Sequence, residues 1–337
     1  MPGTNQSSIS ILSGTPPEAS EDKTKGRRDL VARVCGHVIV EPKYGWAIAG
    51  PARLLDYSLT YGWQTHTRVG RATVGLPSPT SFLWSKYARR NQVHISTARS
   101  LLSPWPENYF HFLVDVLPKL AIMNRSSVDE TTPILVSAHL AKQKYFHEAV
   151  IQGDLSSLHF VSPKEGTYVA LDELFLAQTS IFDKGLTCDV LRLLNAPART
   201  AIPAKRVFLN RRPEYGRCLD NFNDISEILT KLNFTMLYTE DMTLSEQMTL
   251  LSETRFLVGI HGAGLANMIF AANGPLSVME IVPRHADLNQ DFELLANSLG
   301  FDYVRVFGID EPYPHKRSNF HVDPESFSNF IEAFIAD

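Results

Sequence analysis

The sequence predicts an α/β protein of two domains, and three observations carry that prediction. The chain has 337 residues, 44% of them hydrophobic and 20% charged, which is enough to bury a sizeable core and favours two domains over one. From about residue 200 onward, β-rich runs alternate with stretches of helical apolar spacing, the pattern of a parallel, doubly wound sheet. The earlier half mixes short strand candidates with two helical stretches in no regular order, as a second α/β domain of looser design would.

The elements follow in order. Residues 1–28, "MPGTNQSSISILSGTPPEASEDKTKGRR", are rich in Ser, Thr, Pro, Gly and charge, and predict a disordered tail without a signal peptide's apolar segment. In 29–200, strands are expected at "VIVEP", "PILVS", "LHFVS" and "ELFLAQ", and helices at "YFHFLVDVLPKLAIM" and "LAKQKYFHEAVI". The proline-punctuated "LNAPARTAIPAK" suits a hinge, placing the domain boundary near residue 200. In 201–337, "KRVFL", "FTMLY", "RFLVGI", "LSVMEIVP" and "DYVRVFG" are strands, separated by helices at "DISEILTKL", "TLSEQMTLLSE", "AGLANMIF" and "LNQDFELLANSLG". Thr243 and Glu246 have capping-box spacing, and Gly300 ends its helix. The last helix is expected to pack back on the first domain.

Composition narrows the function classes. With 32 basic and 36 acidic residues the net charge is -4, and there is no basic block to track a phosphate backbone, so nucleic acid is a poor partner. Three well-separated cysteines, Cys35, Cys188 and Cys218, suggest neither a disulfide framework nor a zinc site and fit a reducing compartment. No run approaches the ~18 apolar residues of a transmembrane helix; a cytoplasmic protein is expected, with peripheral membrane association compatible with it.

Two places hold the candidate chemistry. "GIHGAGLANMIF" sets His261, Gly262, Ala263 and Gly264 between a strand and a helix start, where open backbone N–H groups and a helix N-terminus suit an anion. It is neither a P-loop nor a dinucleotide fingerprint. "NRRPEYGR" adds Arg211, Arg212 and Arg217 in a loop at the end of another strand of the same half; guanidinium forks match phosphate oxygens, and loops at strand ends converge on one crevice. Glu280 in "VMEIVP", a carboxylate at the end of an apolar strand, could accept from a ribose diol, serve as an N-cap or form a salt bridge. In the first half, Asn108, His111 and Asp115 share one helical face if "ENYFHFLVDVLP" is helical. They could form a general base with its orienting partner; the alternative is a satisfied polar cluster in which Asn108 caps the helix. Trp46, Trp63, Trp84 and Trp105 could stack on a sugar, although core packing is the commoner role.

The combination of "NYFHFLVDVLPKL", "VFLNRR", "LSEQMTLLSETRFLVGIHGAGLANMIF" and "VMEIVP", in that order, resembles glycosyltransferase family 61. The resemblance spans roughly Glu107 to Pro283. It implies a GT-B fold, two Rossmann-like α/β domains facing each other across a cleft, and an inverting transfer from a nucleotide sugar, a UDP-sugar first, to a hydroxyl of a glycan, polysaccharide or glycolipid. Carried over residue by residue, the resemblance places Arg211, Arg217, His261, Gly262, Ala263, Gly264 and Asn267 on the donor, Glu280 on its ribose, and Asn108, His111 and Asp115 on the acceptor side, with Asp115 the base and His111 its alternative. No acidic metal-binding pair stands near the donor motifs, so no cofactor is expected, and dependence on a divalent metal stays open. Family members are often membrane-anchored luminal proteins, and this sequence shows no anchor. A nucleotide-sugar-binding protein without turnover and a nucleotide-sugar epimerase are the competing readings.

Overall fold

The structure is a computed structural model that describes residues 8–13, 30–43, 45–49, 53–54, 92–103, 105, 107–179, 182–284, 288–309 and 318–336. Trp63, Trp84 and most of the expected tail lie outside the described residues. The chain forms two compact units, 1–181 and 182–337. The unit boundary precedes the segment in which the sequence suggests a hinge, because that segment is fastened to the second unit: the Arg199 guanidinium donates to the carbonyls of Leu251, Thr254 and Pro275, each at 2.5 Å.

In the first unit, β1 (Ser8–Ser13), β2 (Leu30–Val40), β3 (Ala47–Ala49), β4 (Arg53–Leu54), β5 (Gln92–Ser100), β6 (Ile134–Leu135), β7 (Phe160–Val161) and β8 (Tyr168–Gln178) make one sheet. Its order is β4-β3-β2-β8-β5-β6-β7, with β1 also on β2. Strands β8, β5, β6 and β7 run parallel, whereas β1, β3 and β8 all pair antiparallel with β2. The expectation of a Rossmann-like first domain is thereby corrected to a mixed sheet. The reason is local: the chain turns back between β2 and β3 within residues 41–46, closed by Gly45 N–H donating to Glu41 O at 3.0 Å, and so short a connection permits only antiparallel pairing. Gly45 has φ +82, and a Cβ there would stand 2.6 Å from that of Leu102. A second correction concerns the tail, where Ser8–Ser13 is an edge strand whose backbone bonds to β2 hold it in register. The strand β2 itself escapes simple alternation because a register shift between Cys35 and Val38, with Gly36 at φ +104, inserts a bulge.

The helices that link these strands are α1 (Leu117–Asn124), preceded by helical turns from Tyr109, and α2 (Lys144–Gln152). Both fall where the apolar spacing places them. An additional helix, α3 (Lys184–Leu193), opens the second unit with Asp183 as N-cap, its Oδ1 accepting from Leu186 N–H at 2.7 Å.

The second unit matches the predicted alternation. Strands β9 (Lys205–Leu209), β10 (Thr235–Leu237), β11 (Thr254–Ile260), β12 (Ser277–Pro283) and β13 (Asp302–Gly308) are all parallel. They alternate with α4 (Phe222–Lys231), α5 (Leu244–Ser252), a 3-10 helix over Ala263–Ala271, and α6 (Asp291–Leu299), and α7 (Pro324–Ala336) closes the unit. The helix expected to reach back to the first half buries Phe327 and Ile331 in the second unit's own core, with Ile225, Leu229, Phe256 and Val258; such side chains contribute about 1.5–3 kcal/mol each on burial.

The sheet order is β10-β9-β11-β12-β13. The chain steps from β9 outward to β10, then returns across β9 to place β11 on its other side. That reversal opens a crevice at the carboxyl ends of β9 and β11, where open α/β sheets take their ligands.

The α5 capping box forms as its spacing predicts. Thr243 Oγ1 accepts from Glu246 N–H at 3.2 Å, and Thr243 N–H donates to Glu246 Oε2 at 2.7 Å. Thr243→Ala should cost about 1 kcal/mol, measured as a lower urea midpoint with unchanged slope.

Candidate active site

Two groups of polar side chains answer to the two candidate motifs, one in each unit, and each is described by itself. In the second unit, residues 210–217 leave β9 and residues 261–264 leave β11, the two strands that flank the reversal. Arg211 joins them: Nε donates to Gly216 O at 2.9 Å, one terminal nitrogen to Tyr215 O at 3.1 Å, and the other to His261 O at 3.2 Å. A Cβ on Gly262 would stand 2.0 Å from that last nitrogen. Gly262 has φ 174 and ψ 166, an extended conformation open to any residue. The glycine is required there for space. Gly264 is similarly confined, since a Cβ would meet Thr239 Oγ1 at 3.0 Å.

Arg217 follows Gly216 in a strained turn, the two having φ +59 and φ +63, a cost that a non-glycine residue bears only where its surroundings fix it. Arg211 and Arg217 both act electrostatically on His261. Arg212, by contrast, turns to Asp241 at 2.5 Å and lies over the Tyr238 ring. The opening N–H groups of a helical turn have no partner within the helix, and Ala263 and Gly264, both partly exposed, supply them here.

Two expected donor contacts are placed otherwise. Asn267 is 0% exposed, and its amide donates to Gln247 Oε1 at 2.7 Å, tying the 3-10 helix to α5. Glu280 is also 0% exposed. One carboxylate oxygen accepts from His261 Nδ1; the other accepts from Tyr303 and from Arg305 at 3.0 Å. A ribose hydroxyl finds no open face on it. The sequence signal for these partners is Tyr303 and Arg305 two apart on β13, polar residues on one face of the strand that pairs with β12.

The electrostatics of this group follow from its burial. Burial holds the His261 imidazole below its ordinary pKa; hydrogen bonding to Glu280 opposes that, and the charges of Arg217 and Arg211 reinforce it. Burial alone would raise Glu280, but His261, Tyr303 and Arg305 outweigh it and keep the carboxyl below its usual range. The pair is therefore a carboxylate facing a neutral imidazole.

In the first unit, Asn108 caps the first helical turn, its Oδ1 accepting from Phe110 N–H at 2.9 Å. The helix then widens into a π turn over Phe112–Val116, in which Leu117 N–H donates to Phe112 O. Pro118 is the cause: it cannot donate the regular i→i−4 bond. His111 and Asp115 stay together despite the change of pitch, Nδ1 lying 3.9 Å from Oδ2. Asp115, 2% exposed, accepts from Ser103 Oγ at 2.9 Å and lies 3.7 Å from Lys119 Nζ. Lys119 is itself buried and donates to Leu102 O at 3.0 Å. His111, at 9% exposure the more accessible of the pair, stacks on Trp105 with ring centroids 4.4 Å apart, whereas Trp46 is a core residue. Burial lowers the His111 pKa to about 4, against the pull of Asp115 and with the help of Lys119. Lys119 was legible as the i+4 neighbour of Asp115; Ser103 was not, being placed by tertiary structure alone.

With these two groups described, the comparison with known families is decisive. The model of glycosyltransferase 61 matches residues 109–279, half of the chain. The chain belongs to glycosyltransferase family 61. The match takes in His111, Asp115, Arg211, Arg217 and the whole 261–264 turn. Membership makes the protein a glycosyltransferase, with a donor and an acceptor among its substrates. No curated protein matches the chain. Among the described residues no helix is long and apolar enough to cross a membrane, and no group of three or more His, Cys, Asp or Glu is placed to hold a metal ion.

The glycosyltransferase should lose stability in acid through His111. The unfolded imidazole takes up a proton near pH 6.5 and the folded one near pH 4, so the unfolded state binds more protons between these values. Stability then rises with pH across that window, and its loss on acidification is complete below about pH 4, amounting to about 3 kcal/mol. Urea midpoints measured from pH 7.5 to 4 should fall more steeply in the wild type than in His111→Asn.

Proposed function

We propose that this family 61 protein transfers a glycosyl group from a nucleotide sugar, a UDP-sugar first, to a hydroxyl of a glycan, polysaccharide or glycolipid, with inversion at the anomeric carbon. The observation that carries the donor assignment is the meeting of Arg211 with the 261–264 turn at the strand-order reversal. A diphosphate there would face Arg211, Arg217 and the N–H groups of Ala263 and Gly264, groups suited to the negative charge that the leaving diphosphate gains as its bond to the anomeric carbon breaks. A GT-B arrangement, in which a second domain supplies the base across a cleft, belongs to the same proposal. So do a metal-independent departure of the diphosphate and a cytoplasmic site of action on a surface polysaccharide or glycolipid precursor.

The acceptor hydroxyl must lose its proton as its oxygen attacks. The His111/Asp115 pair is the candidate base. His111 is the more accessible member and is neutral at physiological pH, and Asp115 at 3.9 Å stabilises the imidazolium that forms. Asn108 caps the turn on which His111 stands and shapes its position. One observation favours a nucleotide-sugar-binding protein without turnover: Ser103 and Lys119 already engage Asp115, as in a purely structural cluster.

Thermal stabilisation by UDP, GDP, ADP and CDP tests the donor site, because a ligand that binds only the folded state must stabilise it. One diphosphate should raise the melting temperature of the wild type; Arg211→Ala and Gly262→Ala should lose the shift, the latter because its Cβ displaces the guanidinium. Shifts that persist in both variants would remove the donor site from this turn. For the base, His111→Gln should lower transfer by about 10²–10⁴-fold while leaving the diphosphate shift in place. Loss of transfer in Asp115→Asn with full activity in His111→Gln would assign the base to Asp115 alone, and diphosphate binding without transfer or donor hydrolysis in the wild type would favour the non-catalytic reading.

A further inference from the structure

Glu280 lies on β12, an interior strand of the parallel sheet, in register with Gly259 on β11 and Arg305 on β13. A buried carboxylate is costly unless its oxygens are hydrogen-bonded and its charge is met. Both conditions are filled. Arg305 approaches one oxygen with Nε at 3.0 Å and a terminal nitrogen at 2.9 Å, and the Tyr303 hydroxyl donates to the same oxygen. The other oxygen takes the Nδ1–H of His261.

That last contact determines which nitrogen of His261 carries the proton. An ionised carboxylate only accepts hydrogen bonds, so Nδ1 must donate, and in the neutral ring Nε2 is then a bare acceptor. Phosphate oxygens are acceptors too. A diphosphate held by the 261–264 turn would thus meet a lone pair on Nε2, unless Nε2 binds a proton. The carboxylate behind the ring is placed to stabilise the resulting imidazolium.

We propose that Glu280 is a positioning residue for the donor site, holding His261 by Nδ1 so that Nε2 takes up a proton when a diphosphate enters the turn. The inference rests on the assignment of that turn to the donor. The charged groups around the ring give the sign. Arg211 and Arg217 from the loop after β9 oppose protonation of the empty site, Glu280 on β12 favours it, and Arg305 and Tyr303 on β13 act through Glu280. From α6, Asp291 interacts with Glu280, and the Phe292 ring stands edge-on to His261 at 5.2 Å. An incoming diphosphate offsets the two arginines and tips the balance toward imidazolium. One proton is then bound with the ligand, and a charge-assisted donor forms against the oxygens on which negative charge builds as the glycosyl bond breaks.

Proton uptake with binding makes affinity fall as pH rises through the His261 pKa of the complex, by about tenfold per pH unit at most for a single proton. The test is calorimetric titration with UDP, GDP, ADP and CDP at several pH values, each in two buffers of different ionisation enthalpy. The diphosphate that binds should take up protons in the wild type and none beyond its own in His261→Asn. Glu280→Gln should shift the uptake to lower pH and weaken binding near pH 7 by about tenfold, the equivalent of one pKa unit. Nitrogen NMR of imidazole-labelled wild-type protein gives a second reading that does not depend on the folding of a variant: His261 should be protonated at Nδ1 alone when free, and at both nitrogens with the diphosphate. Binding with a still-neutral His261, or with proton uptake that persists in His261→Asn, overturns the proposal and leaves the donor site standing. Failure of every diphosphate to bind overturns the donor site, and the proposal falls with it.

Discussion

The approach of Arg211 to residue 262 is the contact on which the 261–264 turn depends. Its guanidinium occupies the position that any side chain at 262 would need, 2.0 Å from where a Cβ would stand, and from there it bonds across to His261 O. The loops after β9 and β11 are held together in this way, and each stands at the carboxyl end of a strand that flanks the reversal of strand order. The sheet provides the crevice. The glycine lets a fixed cation line it.

Beside that turn lies a polar network built around one fully buried carboxylate. Glu280 sits in the sheet interior, with Arg305 and Tyr303 on one carboxylate oxygen and His261, the member that belongs to the turn, on the other. Such a network is favourable only when every member is satisfied, which is why a carboxylate in an otherwise apolar strand serves the ring above it and has no oxygen left for a ribose. Burial and two nearby arginines hold the imidazole below its ordinary pKa, against the pull of Glu280.

The first unit holds its reactive candidates by a different device. Pro118 interrupts the regular hydrogen bonding of the helix, the chain widens into a π turn, and Asp115 projects from that turn beside His111, which stands at its N-terminal edge. Ser103 and Lys119 fix Asp115, and Trp105 covers one face of His111. A buried lysine and aspartate side by side hold the geometry more firmly than a surface pair would, since loss of either leaves the other buried without compensation.

The sequence by itself determined the second unit almost completely: apolar periods give every strand, the Thr243/Glu246 spacing gives a real capping box, and Gly300 ends its helix at φ +77. It also marked the His261–Gly264 turn, the arginine loop and the His111/Asp115 spacing, because local patterns record which residues a turn or helix face brings together. The family was legible for the same reason. Only the tertiary structure decided the mixed orientation of the first sheet, the order β10-β9-β11 that brings the arginine loop beside the 261–264 turn, and the contacts of Asn108, Asn267 and Glu280. Whether a polar residue meets a ligand or a neighbouring side chain depends on residues remote in sequence, as Glu280 depends on Tyr303 and Arg305. Strand pairing and burial set those partners, and a local period carries no information about them.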